Sequence, residues 1–248
     1  MLAHSVDYAG LFPPATLALE PALRNHAEYV RNQDEWMLGA FVLPIAEFDA
    51  AARGLASFDS EHLLRISVLG ARTTDAAAFI RSLAATEESI RLFRTSCGDR
   101  VAIDQLEAPF PGEMNPDALN ETRTALSGLR LNVFLETPAE TAVRSIETIA
   151  QNNGAHSGRK LCFKLRTGGV TSDAFPSSAQ IAAALVAATQ HQVPIKFTAG
   201  LHHPVRLYHE SVQTKMHGFL NVLGAGVLAA ERNWSGEQTA RMLDDEEP

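Results

Sequence analysis

Short apolar runs alternate with longer helical ones from one end of this chain to the other, and no other feature restricts its fold so strongly. The runs that read as strands are 5–12, 36–43, 63–70, 100–107, 130–136, 160–167 and 193–199. Between them lie amphipathic or alanine-rich segments such as 74–95, 139–152 and 177–190, each long enough to cover one face of a sheet. This alternation is the pattern of a parallel sheet with crossover helices. Seven such units of roughly 30 residues, without a linker or a low-complexity stretch, predict a single TIM-type (β/α) barrel domain over residues 1–248. No Gly-x-Gly-x-x-Gly follows the first strand, which argues against an open dinucleotide-binding sheet.

Two local readings refine the picture. Ser177 and Gln180 fit a capping box after Pro176 at the head of the helix over 177–190. Residues 209–232 read as one long apolar helix, with 217–222 as the competing place for an eighth strand, and 233–248 read as a polar loop, a short helix and an acidic tail. A barrel with seven strands leaves two strand edges open. The chain's own tail, or a second copy in a homo-oligomer centred near Phe219, Leu220 and Leu223, is therefore expected to cover the opening.

Composition removes several classes of function. The 21 basic and 29 acidic residues give a net charge of −8, with the basic ones scattered, so nucleic acid is not an expected partner. Cys97 and Cys162, the only cysteines, are too few and too far apart for a disulfide framework or a thiolate zinc site, and a reducing cytoplasm is the expected home. No apolar run approaches the length of a membrane span, and the N terminus carries no targeting pattern. Cys162, Trp36 and Trp234 read as packing residues.

Function concentrates at the carboxyl ends of barrel strands, and there the chain places ionisable groups: Asp7, Asp104, Glu107, Glu136, Lys164, Arg166, Lys196 and the pair His202 and His203. Lys164 and Lys196 stand out, since each lies near the end of an apolar run that continues into glycine, Gly168 and Gly169 in one case and Gly200 in the other. By side-chain alternation Cys162, Lys164 and Arg166 share one side of their strand, and Lys196 and Thr198 share a side of theirs. An ammonium inside a sheet is costly to desolvate, so two on consecutive strands call for a reason. Neighbouring ammoniums disfavour each other, and an uncharged lysine attacks carbonyl carbon. The plainer alternative is a buried ion pair between Lys164 and Glu136. Alternation also sets Asp104 and Glu107 on opposite faces unless their strand is bulged.

The order of these motifs resembles the deoxyribose-phosphate aldolases among the Schiff-base (class I) aldolases. That family's N-terminal Asp-His-Thr-Leu-Leu-Lys-Pro is similar to the stretch from Asp7 to Pro13, which keeps the aspartate, the second leucine and the proline. Its fourth-strand Val-Asp resembles Ile103-Asp104, and its fifth-strand Glu-Thr matches Glu136-Thr137. The sixth-strand Lys-Thr-Ser-Thr-Gly resembles the run from Lys164 to Gly168, and Pro-x-Ser-Ala-x-Ile resembles that from Pro176 to Ile181. The seventh-strand Lys-x-x-Gly-Gly is similar to the run from Lys196 to Gly200.

Over roughly residues 6–203 the resemblance implies an imine-forming Lys164, a companion cation Lys196 and a proton-shuttling Asp104. Asp7 and Glu136, ionisable groups at strand ends, are further catalytic candidates, against the plainer roles of a capping carboxylate and a counter-ion, and no cofactor is expected. The ligand expected is a small carbonyl or sugar-like molecule, with Arg166, Thr167, Gly168, Gly169, Gly200 and His202 as binding residues. The chain departs from the family at Arg166, where a serine is expected, at Ala199, where a glycine is expected, and in lacking the terminal Gly-Ser-Ser phosphate loop. Arg166 offers a planar fork for a carboxylate or phosphate. Two other readings remain open: a metal-dependent, sugar-isomerase-like barrel using His202, Glu107 and Glu136, and a non-catalytic barrel that binds an anion through the lysines and Arg166.

Overall fold

The computed structural model describes residues 2–247. The chain is an α/β protein with seven parallel strands whose order in the sheet follows the sequence: β1 (Val6–Tyr8), β2 (Leu38–Pro44), β3 (Leu64–Leu69), β4 (Val101–Pro109), β5 (Asn132–Glu136), β6 (Leu161–Arg166) and β7 (Ile195–Thr198). Two further strands, β8 (Leu207–His209) and β9 (Thr214–Met216), pair only with each other, antiparallel, among the described residues. The chain divides into two compact units. The first runs through Pro109 and includes Asn120–Val133; the second comprises Phe110–Leu119 and everything from Phe134 onward.

In the first unit β1 to β4 pair in sequence with parallel register. Phe41, Leu43, Ile66, Val68 and Leu106 are buried along these strands, giving the near-continuous apolar character of a parallel sheet covered by helices. The helices are α1 (Leu19–Tyr29), α2 (Phe48–Arg53) and α3 (Ala76–Cys97), and Asp75 caps α3 by accepting a hydrogen bond from the Ala78 amide. β1 is shorter than its apolar pattern predicts. The carbonyls of Ala9 and Gly10 turn back to the amides of Phe12 and Leu17, and a side chain on Gly10 would strike the Tyr8 ring.

β4 carries an irregularity on which the placement of its carboxylates depends. Ile103 pairs with Ile66 and Gln105 with Ser67, so Asp104 is an extra residue in the ladder. Alternation alone set Asp104 and Glu107 on opposite faces, and the bulge that lifts this separation is present. It allows Asp104, Gln105 and Glu107 to meet side chains from a single face of β3: Asp104 lies 3.6 Å from Arg65, while Gln105 and Glu107 both reach Ser67.

In the second unit β6 and β7 pair from Phe163 opposite Ile195 to Arg166 opposite Thr198. The helices α5 (Ala142–Gly154) and α6 (Ser178–Gln190) surround β6 in sequence, and α4 (Pro116–Ala125) spans the change from one unit to the other. The capping box at Ser177 and Gln180 is formed. The C-terminal region departs from the expected single helix over 209–232. Residues 207–216 form the β8–β9 hairpin, turned through Gln213 at φ 53°, and α7 begins only at Phe219 and ends at Arg232. Gly218 separates the two, because a Cβ there would come within 2.2 Å of Asn221 Oδ1 and 2.5 Å of the Pro204 carbonyl. The region 217–222 is thus turn and helix, and only an isolated bridge links His203 to Gly218. A final helix, α8 (Gly236–Asp244), packs with α6 and α7. On α7, Phe219 and Leu223 are half-buried and Leu220 is exposed.

Candidate functional site

Buried charged side chains meet in the second unit, on one face of β5, β6 and β7. Lys164 and Lys196 are Cα partners in the β6–β7 ladder, so alternation aims both to the same side. Lys164 is 2% exposed, and its Nζ lies 2.8 Å from Glu136 Oε2 at the end of β5; Glu136 is buried as well. Lys196 Nζ sits 5.5 Å from the centre of the Phe134 ring, within the range of a cation–π contact. Phe134 and Glu136 are two residues apart, so each lysine of the row meets a different side chain from the same face of β5. One meets a carboxylate and the other an aromatic face.

The next row toward the carboxyl ends pairs Arg166 with Thr198. Arg166 is exposed. Thr198 Oγ1 is removed from solvent and has no hydrogen-bond partner. Beyond this row the two strands run into loops that are tied together. Thr167, fully buried, donates from Oγ1 to the Ala199 carbonyl at 2.7 Å and from its amide to the Thr198 carbonyl at 2.8 Å. Gly168 and Gly200 abut so closely that a Cβ on Gly168 would lie 2.8 Å from the Gly200 Cα. Ala199 adopts φ 64°, a left-handed conformation that an alanine takes at a cost.

Of the expected binding residues, then, Thr167, Gly168 and Gly200 are occupied in joining the two loops, and Gly169 packs where a Cβ would meet Ala174 at 2.6 Å. His202 is exposed in the loop after β7. Partial burial, with the neighbouring His203 and His209, holds its imidazole below the ordinary value. The His203 and His209 rings lie 5.5 Å apart. Among the described residues no three of His, Cys, Asp and Glu are grouped as metal ligands, so the set of His202, Glu107 and Glu136 finds no support as a metal centre.

The remaining expected groups belong to the first unit. Asp7 Oδ1 accepts a hydrogen bond from the Ala40 amide at 2.7 Å, and Gly39 is needed beside it, since a Cβ there would lie 2.3 Å from that oxygen. Asp7 therefore joins β1 to β2. Asp104 is exposed at the bulge, level with the middle of β3, and not at the carboxyl end where its motif suggested. Glu107, opposite Leu69 at the end of β3, is 1% exposed and accepts a hydrogen bond from the buried Ser67 at 2.7 Å.

Three participants were not singled out from sequence: Phe134 under Lys196, Ser67 against Glu107, and the hydroxyl of Thr198. The alternation that placed Thr198 beside Lys196 was a usable signal for the third, and the same alternation joins Phe134 to Glu136. Ser67 had none.

No family model and no curated protein matches this chain. Among solved structures the chain is similar to the crystal structure of an engineered protein, with a TM-score of 0.56 at 13% identity over 94% of this chain and 62% of that one. It also aligns with the carboxyl transferase domain of pyruvate carboxylase from Rhizobium etli, determined with pyruvate, with a TM-score of 0.48 at 11% identity over 92% of this chain and 36% of that one. The chain thus spans less than two thirds of either. The first likeness concerns the fold alone, and the second is too weak to carry an argument. Among the described residues no helix is long and apolar enough to cross a membrane.

Proposed function

We propose that this chain is a lyase of the Schiff-base aldolase type on a (β/α) barrel scaffold, acting on a small carbonyl compound through Lys164. The observation that carries the reading is the pair of lysines set side by side on one strand face, with a buried carboxylate 2.8 Å from one of them. In this mechanism Glu136 accepts a proton from the Lys164 ammonium, and the freed lone pair forms a bond to the carbonyl carbon. The carbonyl oxygen is protonated and leaves as water, which gives an iminium. As the hydroxyl of the next carbon but one loses its proton, the bond between the intervening carbon and that carbon breaks. Its electron pair moves to the iminium, releasing an aldehyde and leaving an enamine. Protonation of the enamine carbon and attack by water return the second carbonyl product and the lysine. None of these steps requires a cofactor.

Lys196, held over Phe134, is the companion cation that the family resemblance calls for. The resemblance assigns the proton transfer at the hydroxyl to Asp104, but that side chain is exposed beside Arg65 part-way along β4, so in this mechanism the proton passes to water and Asp104→Asn is expected to leave adduct formation at Lys164 intact. Borohydride reduction in the presence of small aldehydes and ketones is expected to add the mass of the reduced carbonyl compound at Lys164. Lys164→Arg removes the adduct, because a guanidinium stays protonated. Labelling confined to exposed lysines such as Lys160 and Lys215 would leave Lys164 as half of a structural ion pair and overturn the reading.

A further inference from the structure

The row above the two lysines has the makings of a ligand subsite. Arg166 lies two residues beyond Lys164 on the same strand face, and Thr198 two residues beyond Lys196, and the two are partners across the ladder. Arg166 is exposed at the rim, and its guanidinium enters no ion pair or hydrogen bond among the described residues. Beside it Thr198 Oγ1 is shut away from solvent without a partner, an arrangement that proteins seldom leave unfilled. A free planar fork next to an unsatisfied hydroxyl is the equipment for a carboxylate, which accepts two parallel bonds from a guanidinium and has lone pairs left for a third donor.

Spacing sets how far from the reacting carbon an anion can lie. Two residues along a parallel strand rise roughly 6.6 Å, which sets the distance between the bases of the Lys164 and Arg166 side chains. A carboxylate bonded directly to the carbonyl carbon keeps its oxygens two bonds from the carbon that Lys164 attacks, so the amine and the guanidinium converge on the two groups from adjacent rows. A phosphate three bonds from the carbonyl carbon also falls within that interval, so what favours the carboxylate is the match of its two oxygens to the fork with lone pairs left for the hydroxyl.

We propose that Arg166 and Thr198 form a carboxylate subsite one row above Lys164, and that the carbonyl substrate is a 2-oxo acid. This rests on the imine reading of Lys164. The subsite itself does not require the imine.

The test uses three carbonyl compounds in borohydride trapping: 2-oxobutanoate, the neutral butanone, and dihydroxyacetone phosphate, with the adduct read by mass at Lys164. The oxo acid is expected to half-saturate trapping at a concentration about 10–100-fold lower than butanone, the value of a charge-assisted pair of hydrogen bonds. Arg166→Gln collapses that ratio toward one, Arg166→Lys recovers it in part because an ammonium lacks the fork, and Thr198→Val lowers it by a smaller factor. A ratio that survives Arg166→Gln, or a preference for dihydroxyacetone phosphate over the oxo acid, would overturn the proposal. Calorimetry with 2-hydroxybutanoate, which has no carbonyl to condense, separates the two readings. Binding that weakens about 10–100-fold in Arg166→Gln, with no adduct at Lys164 from any compound, keeps the subsite and removes the imine. An adduct at Lys164 with no preference for carboxylate removes the subsite and keeps the imine.

Discussion

His26 in the first unit and Lys164 in the second are both basic side chains, 0% and 2% exposed, and the chain treats them in opposite ways. His26 lies among aromatic rings: Tyr8 stacks on it at 5.5 Å, and Phe41 and Phe58 complete the surround at 5.4 and 6.2 Å. Neither of its ring nitrogens has a hydrogen-bond partner, and burial pushes its value down to about 4. It is held as a neutral ring, a flat apolar filler with two nitrogens. Lys164 is met by a carboxylate at 2.8 Å and shares its strand face with a second lysine. Replacing a buried ion pair with apolar residues is often neutral or stabilising, so a chain that keeps one gains little stability from it. The first solution suppresses the proton. The second keeps a proton and its acceptor within one hydrogen bond, and only that arrangement is equipped for chemistry.

The contrast is most severely tested at Glu136. Glu136→Ala takes away the carboxylate beside a buried amine and is expected to cost about 3–5 kcal/mol, measured by urea unfolding. The double change Lys164→Met with Glu136→Leu should return to within about 2 kcal/mol of the parent, since it removes both charges together. A loss below about 1 kcal/mol for the single change would mean that other groups hold the amine, and the contrast with His26 would fail.

The His26 side of the comparison predicts a dependence on pH. The unfolded ring titrates near its ordinary 6.5 and the folded ring at about 4. Between those values the unfolded chain takes up a proton that the folded chain refuses. The contribution of His26 to stability is therefore complete above about pH 6.5, falls as pH drops toward 4, and is level below that, for a total of about 3 kcal/mol. Chemical denaturation across pH 4 to 7 measures the slope, and His26→Phe should flatten it. An unchanged slope in that variant would assign the acid sensitivity to other groups.

Smaller effects sharpen the account of the strands that carry the lysines. Ser177→Ala removes the hydroxyl that caps α6, the helix between β6 and β7, and should cost about 1 kcal/mol in thermal or urea unfolding. Ala199→Gly relieves a left-handed alanine between the β7 strand and Gly200, offset in part by the greater freedom of glycine in the unfolded chain. The net gain should be below about 1 kcal/mol in the same measurement. A loss on that change would show that the Ala199 methyl is itself packed.

Much of this architecture was legible in the residues. The apolar alternation located all seven parallel strands and put Lys164 and Lys196 on consecutive ones, whose ladder pairs the two. The capping box was readable because Ser177 and Gln180 stand at fixed spacing. What escaped was whatever depends on contacts distant in sequence. Residues 207–216 have no strong alternation, and nothing local announces that Gly218 must lack a side chain because Asn221 and Pro204 close on it. Helices α2 and α4, of 6 and 10 residues, are short enough that their helical periods register weakly. Asp104 looked like a residue at a strand's reactive end because its motif did, whereas β4 continues to Pro109 beyond it. Thr198 was placed on the correct face but not recognised as a site group, since an unsatisfied hydroxyl becomes visible only when every neighbour is known.

The bulge in β4 has a genetic consequence. In most strands the loss of one codon slips the register and turns every later side chain to the wrong side of the sheet. Asp104 is an exception, because Ile103 and Gln105 already oppose consecutive residues of β3, Ile66 and Ser67. An in-frame deletion of codon 104 would close the ladder into a regular one and leave Glu107 facing Ser67 as before. A lineage of such chains could therefore gain or shed this one carboxylate in a single step, without rebuilding the strand that bears it.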